Sequence, residues 1–126
     1  MKGFDDYRKL KRRILRDGAS ANELRDEAFR RVVLAIPAGK VSTYGKVAAA
    51  AGYPLYHRAV ARLLSTDPPD SLPWHRVVGA GGEIKLRANG ESEQRARLKM
   101  EGVGFRGDRV DMDRFECVLR VWEETY

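Results

Sequence analysis

Ser42-Thr43-Tyr44-Gly45-Lys46-Val47-Ala48-Ala49-Ala50-Ala51-Gly52-Tyr53-Pro54-Leu55-Tyr56-His57-Arg58-Ala59-Val60-Ala61-Arg62-Leu63-Leu64 reads as two helices joined by a tight turn. Ser42 or Thr43 can cap a helix from Tyr44 to Ala51, because a hydroxyl accepts from a backbone N–H that the first turn leaves free. Gly52 follows where left-handed backbone commonly ends a helix. Pro54 opens a second helix over Leu55 to Leu64, since a missing N–H costs nothing in a first turn. The connection Gly52-Tyr53-Pro54 is as short as a helix-turn-helix requires. The alanines at 48–51 permit close approach of the two helices. An ordinary αα-hairpin carries the same pattern, and pattern alone leaves the two even. In the helix-turn-helix reading, the second helix is the one presented to DNA.

Upstream, Ser20 and Glu23 have capping-box spacing. Leu24, Ala28, Phe29, Val32, Val33 and Ile36 then recur at helical intervals, and Pro37-Ala38-Gly39 stops the run. The opposite face carries Arg25, Arg30 and Arg31. Residues 1–19 fit a basic helix ended by Asp17-Gly18, or a loose arm. Downstream, Pro68, Pro69 and Pro73 force a loop or extended crossing. Trp74 to Val78 reads as a short strand, Gly79 to Gly82 as a turn, and Glu83 to Leu86 as the returning strand. A hairpin after a helix-turn-helix makes a winged helix. Glu91 to Met100 is a further helix closed by Gly102, and Val103 to Phe105 a short strand. Phe115, Val118, Leu119 and Trp122 sit at i, i+3, i+4 and i+7, which predicts a docked terminal helix. The expected fold is mainly α with a small β-hairpin, an α+β winged helix-turn-helix. It comprises a basic extension over residues 1–19 and one domain over 20–126.

The 126 residues leave room for one domain, and 43% apolar content suffices for a small core. No run approaches the ~18 apolar residues of a membrane span, and the charged first 20 residues lack a secretory h-region. Cys117 is the single cysteine, so neither an internal disulfide nor a structural zinc site is expected. No metal, cofactor or membrane partner is expected, and the expected home is the reducing cytoplasm, at the nucleoid if the cell is bacterial. The net charge is +6, of which residues 1–22 carry +4. Such a basic balance suits a polyanionic partner, although a solvated basic surface gives the same numbers.

Four blocks carry more specific information. Ile36-Pro37-Ala38-Gly39-Lys40-Val41-Ser42-Thr43-Tyr44-Gly45 resembles the approach to the first DNA-binding helix of the O6-alkylguanine-DNA alkyltransferases. Arg58-Ala59-Val60 resembles their recognition helix, Pro73-Trp74-His75-Arg76-Val77 their active-site signature, and Glu101-Gly102-Val103 their closing motif. The resemblance covers about residues 24–116. The transferases carry cysteine where this chain has Trp74, and a thiolate is a strong nucleophile whereas an indole offers only an N–H donor. Tryptophan there resembles the alkyltransferase-like branch, whose members bind O6-alkylguanine without dealkylating it and pass the lesion to nucleotide excision repair.

The resemblance implies roles. Arg58 would enter the duplex as a finger and fill the gap left by a flipped base, offsetting part of a flipping cost of about a few kcal/mol. Tyr44 would press the phosphate beside the flipped nucleotide and border the lesion pocket. Ala59, Val60 and Ala61 would press into the minor groove. Trp74 would stack on the base or its alkyl group, and Arg87 would donate to O6 and N1 of the modified guanine. His75 and Glu101 match the pair that relays the proton from the transferase cysteine. With no thiol to activate, they are expected to be structural, as is Arg76. Asp67-Pro68 departs from the transferases' Asn-Pro, and an acidic side chain cannot donate as an amide does.

The expected function is therefore a monomeric, non-catalytic sensor. It would bind duplex DNA, flip O6-alkylguanine and hand it to excision-repair proteins. A transferase using Cys117 and a sequence-reading helix-turn-helix regulator are the rival readings.

Overall fold

The structure, a computed structural model, describes residues 8, 9, 12, 20–85 and 89–119. The expected basic extension over 1–19 lies almost entirely outside them. Helix α1 spans Ala21–Leu34. Ser20 caps it, its Oγ accepting from the Glu23 N–H at 3.2 Å, as the box spacing predicts. Ala28, Phe29, Val32 and Val33 form its buried face. The chain then runs through strand β1 (Ser42–Thr43) into helix α2 (Tyr44–Ala50), which Thr43 caps by accepting from the Lys46 N–H. Helix α3 spans His57–Thr66 and packs most extensively against α2.

Helix α3 begins two residues later than the sequence suggests. Pro54 does not open it; Pro54 and Leu55 are the central pair of a turn in which the Tyr56 N–H donates to the Tyr53 carbonyl at 3.2 Å. Leu55 adopts φ 76°. Proline followed by a positive φ defines a type II turn.

The signature segment also differs from the expected strand. Trp74–Arg76 forms one 3₁₀ turn, and only Val77–Val78 (β2) is extended. β2 pairs parallel with β1, Ser42 opposite Val77 and Thr43 opposite Val78. Among the described residues, 83–85 form no ladder with β2. Glu83 instead bridges antiparallel to Arg109. The turn between them is not a free hairpin loop, because it presses on the following element. A Cβ at Gly82 would lie 2.4 Å from the Val110 carbonyl oxygen. The small antiparallel hairpin is formed further on by β3 (Phe105–Arg106) and β4 (Arg109–Val110). Between these parts runs helix α4 (Asn89–Met100).

The predicted docked terminal helix does not form over 116–119. A single turn, α5 (Met112–Phe115), ends at Glu116, which bridges parallel to Val41. Val41 donates to the Phe115 carbonyl at 2.9 Å and accepts from the Cys117 N–H at 2.7 Å. The Phe115 carbonyl and the Cys117 N–H are thereby paired with Val41 instead of with helical partners. Trp122 lies outside the described residues.

Two apolar clusters flank the β1–β2 pair. One gathers Phe29, Val33, Val47, Val60 and Leu63 from the three first helices. The other gathers Val41, Val78, Ile84, Leu98, Val103 and Val110. Among the described residues, no helix is long and apolar enough to cross a membrane.

Phe29 is fully buried and meets Tyr53 edge to face. Truncating a buried phenylalanine removes apolar burial and leaves a cavity, which typically costs about 3–5 kcal/mol. Phe29→Ala is expected to lower the unfolding free energy measured in urea by that much, a large part of the roughly 5–15 kcal/mol that stabilises a domain.

Candidate nucleic-acid interface

The Glu101 carboxylate, just past the end of α4, gathers three segments. Its Oε2 lies 2.7 Å from His75 Nε2 and accepts from Arg76 Nη2 at 2.8 Å. Its Oε1 accepts from Arg76 Nε at 3.0 Å and from the Gly39 N–H at 3.1 Å. Arg76 Nη1 continues to the Ile36 carbonyl at 3.0 Å. Gly39 has φ 87°, a region that glycine enters without steric cost. The Arg76 hydrogen bond, chiefly, holds the Glu101 pKa down at about 2, against the opposing effect of burial; His75 and the Gly39 N–H add to the lowering. The carboxylate is therefore ionised at neutral pH and can only accept, which makes His75 Nε2 the donor. His75 Nδ1 is buried with no hydrogen-bond partner among the described residues. Buried Gln94 ties α4 to the same turn, donating to the carbonyls of His75 at 3.1 Å and Val77 at 2.9 Å.

Trp74 stands at the start of this braced turn, half-buried. Arg97 lies over its ring at 5.3 Å from the centroid and is itself paired with Glu93 at 2.9 Å and Asp70 at 3.4 Å. The indole N–H is buried and has no partner among the described residues. Arg87 lies outside those residues.

On α3, Arg58 is exposed, as are His57, Ala61, Arg62 and Ser65. The side chains of His57, Arg58 and Arg62 make no hydrogen bond or ion pair with the described residues. No acidic residue occurs from Lys46 to Thr66, so this face is cationic. Ala59 is half-buried against the core, and Val60 is fully buried in it. Val60 therefore anchors the helix and cannot face a ligand, a correction to its expected place on the contact surface. The 3.6-residue period of a helix by itself sets positions 58, 61, 62 and 65 apart from 60 and 63. Tyr44 sits half-buried at the start of α2, and burial raises its hydroxyl pKa.

Asp67 ends α3, where the acidic departure lies. Arg30 of α1 grips it with two bonds, Nε to Oδ2 at 2.8 Å and Nη2 to Oδ1 at 3.1 Å. A carboxylate accepts this fork on two oxygens and an amide on one, which accounts for aspartate there.

Three packed helices and an exposed cationic face on the third fit the helix-turn-helix class of DNA-binding protein. A family described as the 6-O-methylguanine DNA methyltransferase DNA-binding domain matches residues 25–103, and the chain belongs to it. Its relatives place it in the alkyltransferase-like branch. It is 44% identical over 86 residues to the DNA base-flipping protein of Escherichia coli, covering 67% of each chain. It is 43% identical over 84 residues to alkyltransferase-like protein 1 of Schizosaccharomyces pombe, covering 62% of this chain and 78% of that one. The structure of S. pombe Atl1 in complex with damaged DNA containing O6-carboxymethylguanine superposes with TM-score 0.70 at 32% identity, covering 76% of this chain and 96% of that one. The Mycobacterium tuberculosis OGT–DNA complex superposes with TM-score 0.56 at 32% identity, covering 60% and 48%.

Because the folded pKa of Glu101 is depressed from 4.5 to about 2, its contribution to stability is complete above pH 4.5. That contribution is lost as pH falls towards 2. Glu101→Gln is expected to be less stable at pH 7 by about 1–3 kcal/mol, the scale of hydrogen bonds to charged groups. The gap to wild type should narrow as pH falls from 4.5 towards 2. Thermal unfolding across that range checks it.

Proposed function

We propose that this protein is a non-catalytic sensor of O6-alkylguanine in duplex DNA. It binds through the minor groove, flips the modified base and marks it for nucleotide excision repair. The observation that carries this reading is the signature turn itself. The His75–Glu101–Arg76 assembly is complete, while the position that carries the transferases' nucleophile holds an indole, which accepts no alkyl group at neutral pH. Arg58 supplies the finger on a cationic helix free of internal pairing. Trp74 supplies an aromatic wall and Arg87 a donor to the alkylated edge. Tyr44 presses the neighbouring phosphate, and Ala59 and Ala61 let α3 approach the groove.

Cys117 is a poor alternative acceptor. Burial pushes its thiol pKa up, which reduces the reactive thiolate, and its backbone is bonded to Val41. The partners that fit this reading are lesion-bearing duplex DNA and excision-repair proteins, met by a monomer in the cytoplasm.

Fluorescence anisotropy with a duplex carrying one O6-methylguanine, against its unmodified twin at two salt concentrations, tests the reading. Lesion preference at both salts is expected, since phosphate contacts alone give affinity that fades with salt. Equal binding to both duplexes would contradict it. Trp74→Ala is expected to weaken lesion binding by about 1–3 kcal/mol, the scale of one aromatic–base contact, with little change on the unmodified duplex. Arg58→Ala is expected to weaken lesion binding by roughly a few kcal/mol, the order of the flipping cost it offsets.

A further inference from the structure

The turn between α2 and α3 holds a residue in a conformation that its side chain does not favour. Leu55 has φ 76° and is the described non-glycine residue with positive φ. It occupies the third position of a type II turn, where glycine or asparagine is the usual occupant. A branched side chain there is strained, and such strain persists only where the surroundings impose it. The surroundings are visible. Pro54 fixes the preceding φ. Tyr53 on one side of the pair meets Phe29 edge to face at 5.8 Å, and Tyr56 on the other meets Tyr53 at 5.9 Å. Arg25 lies over the Tyr56 ring at 5.5 Å. This aromatic ladder, rooted in the α1 core, holds the turn so that Leu55 projects outward, 92% exposed.

No fold-level need explains an outward leucine on a strained backbone. Its position does suggest an occupant. It lies three residues before Arg58, is exposed as Arg58 is, and is followed by His57 and Arg62 in a stretch without acidic residues. Proteins in the minor groove commonly insert an apolar wedge that partly unstacks a base step. We infer that Leu55 is such a wedge: a second DNA-entering side chain, beside Arg58, that loosens the step next to the flipped nucleotide. The inference rests on the duplex-binding reading above and adds to it a residue that opens the stack.

Leu55→Gly separates wedge from scaffold because the two effects have opposite signs. Glycine relieves the positive φ, so the unfolding midpoint should rise. Loss of the leucine should weaken binding to both duplexes by about tenfold, the equivalent of burying one such side chain. The salt dependence should stay unchanged, since no phosphate contact is lost. Leu55→Ala retains the strain, so it should lose affinity without gaining stability. A 2-aminopurine beside the lesion should brighten on binding wild type and brighten less with either variant. A raised midpoint with unchanged affinity for both duplexes would overturn the wedge, and would point the leucine at a protein surface instead. If wild type binds both duplexes alike while Leu55→Gly weakens both, the wedge stands and the lesion-sensing reading falls.

Discussion

A single ionised carboxylate fixes the geometry of the signature turn. Glu101 accepts from Arg76, from His75 and from the Gly39 N–H, joining the end of α4, the 3₁₀ turn and the loop that leads into β1. The two charges are about four-fifths covered, and charges removed from water need full pairing to be tolerated. Here every oxygen is occupied, and the guanidinium extends to the Ile36 carbonyl. The turn before β2 is thus held from three sides, and Trp74 at its head stands on a rigid base. In the transferases that the motif resembles, the matching histidine and glutamate serve a cysteine nucleophile. In this chain their visible work is to hold position.

The two surfaces proposed to meet DNA are held by different physics. The signature turn relies on charge-assisted hydrogen bonds in a half-buried site, which are strong and directional. The helix-turn-helix relies on apolar packing of α1, α2 and α3 and on an aromatic ladder that keeps the turn in a costly conformation. The Arg30–Asp67 fork links them, since it ties the end of α3 and the start of the loop towards Trp74 to α1.

Features with local causes were legible in the sequence. Ser20 and Thr43 cap as their spacing suggests, and Gly52, at φ 91°, follows α2 in left-handed backbone. The three helices and the α+β class follow from such signals and from the 3.6-residue period. What escaped depends on distant partners. β2 pairs in parallel with a two-residue strand some 35 positions earlier, for which no periodicity exists. Over 116–119 the tail's helical spacing does not set the backbone, because Val41 engages the Phe115 carbonyl and the Cys117 N–H. Pro54 read as a helix start because the φ of its neighbour is invisible in sequence. Of the site, the pairing of His75 with Glu101 was legible from the resemblance, and the bond of Arg76 to the same carboxylate was not. The Arg97–Trp74 stack and the Arg30–Asp67 fork were not, being long-range contacts of ordinary surface residues.

The central claim is that recognition proceeds without chemistry. Its most direct test is to hold the protein in excess over an O6-methylguanine duplex for many complex lifetimes, then weigh both the intact protein and the strand. The account predicts that neither mass changes while the complex persists. A protein one methyl group heavier, with a strand lighter by the same group, would contradict it.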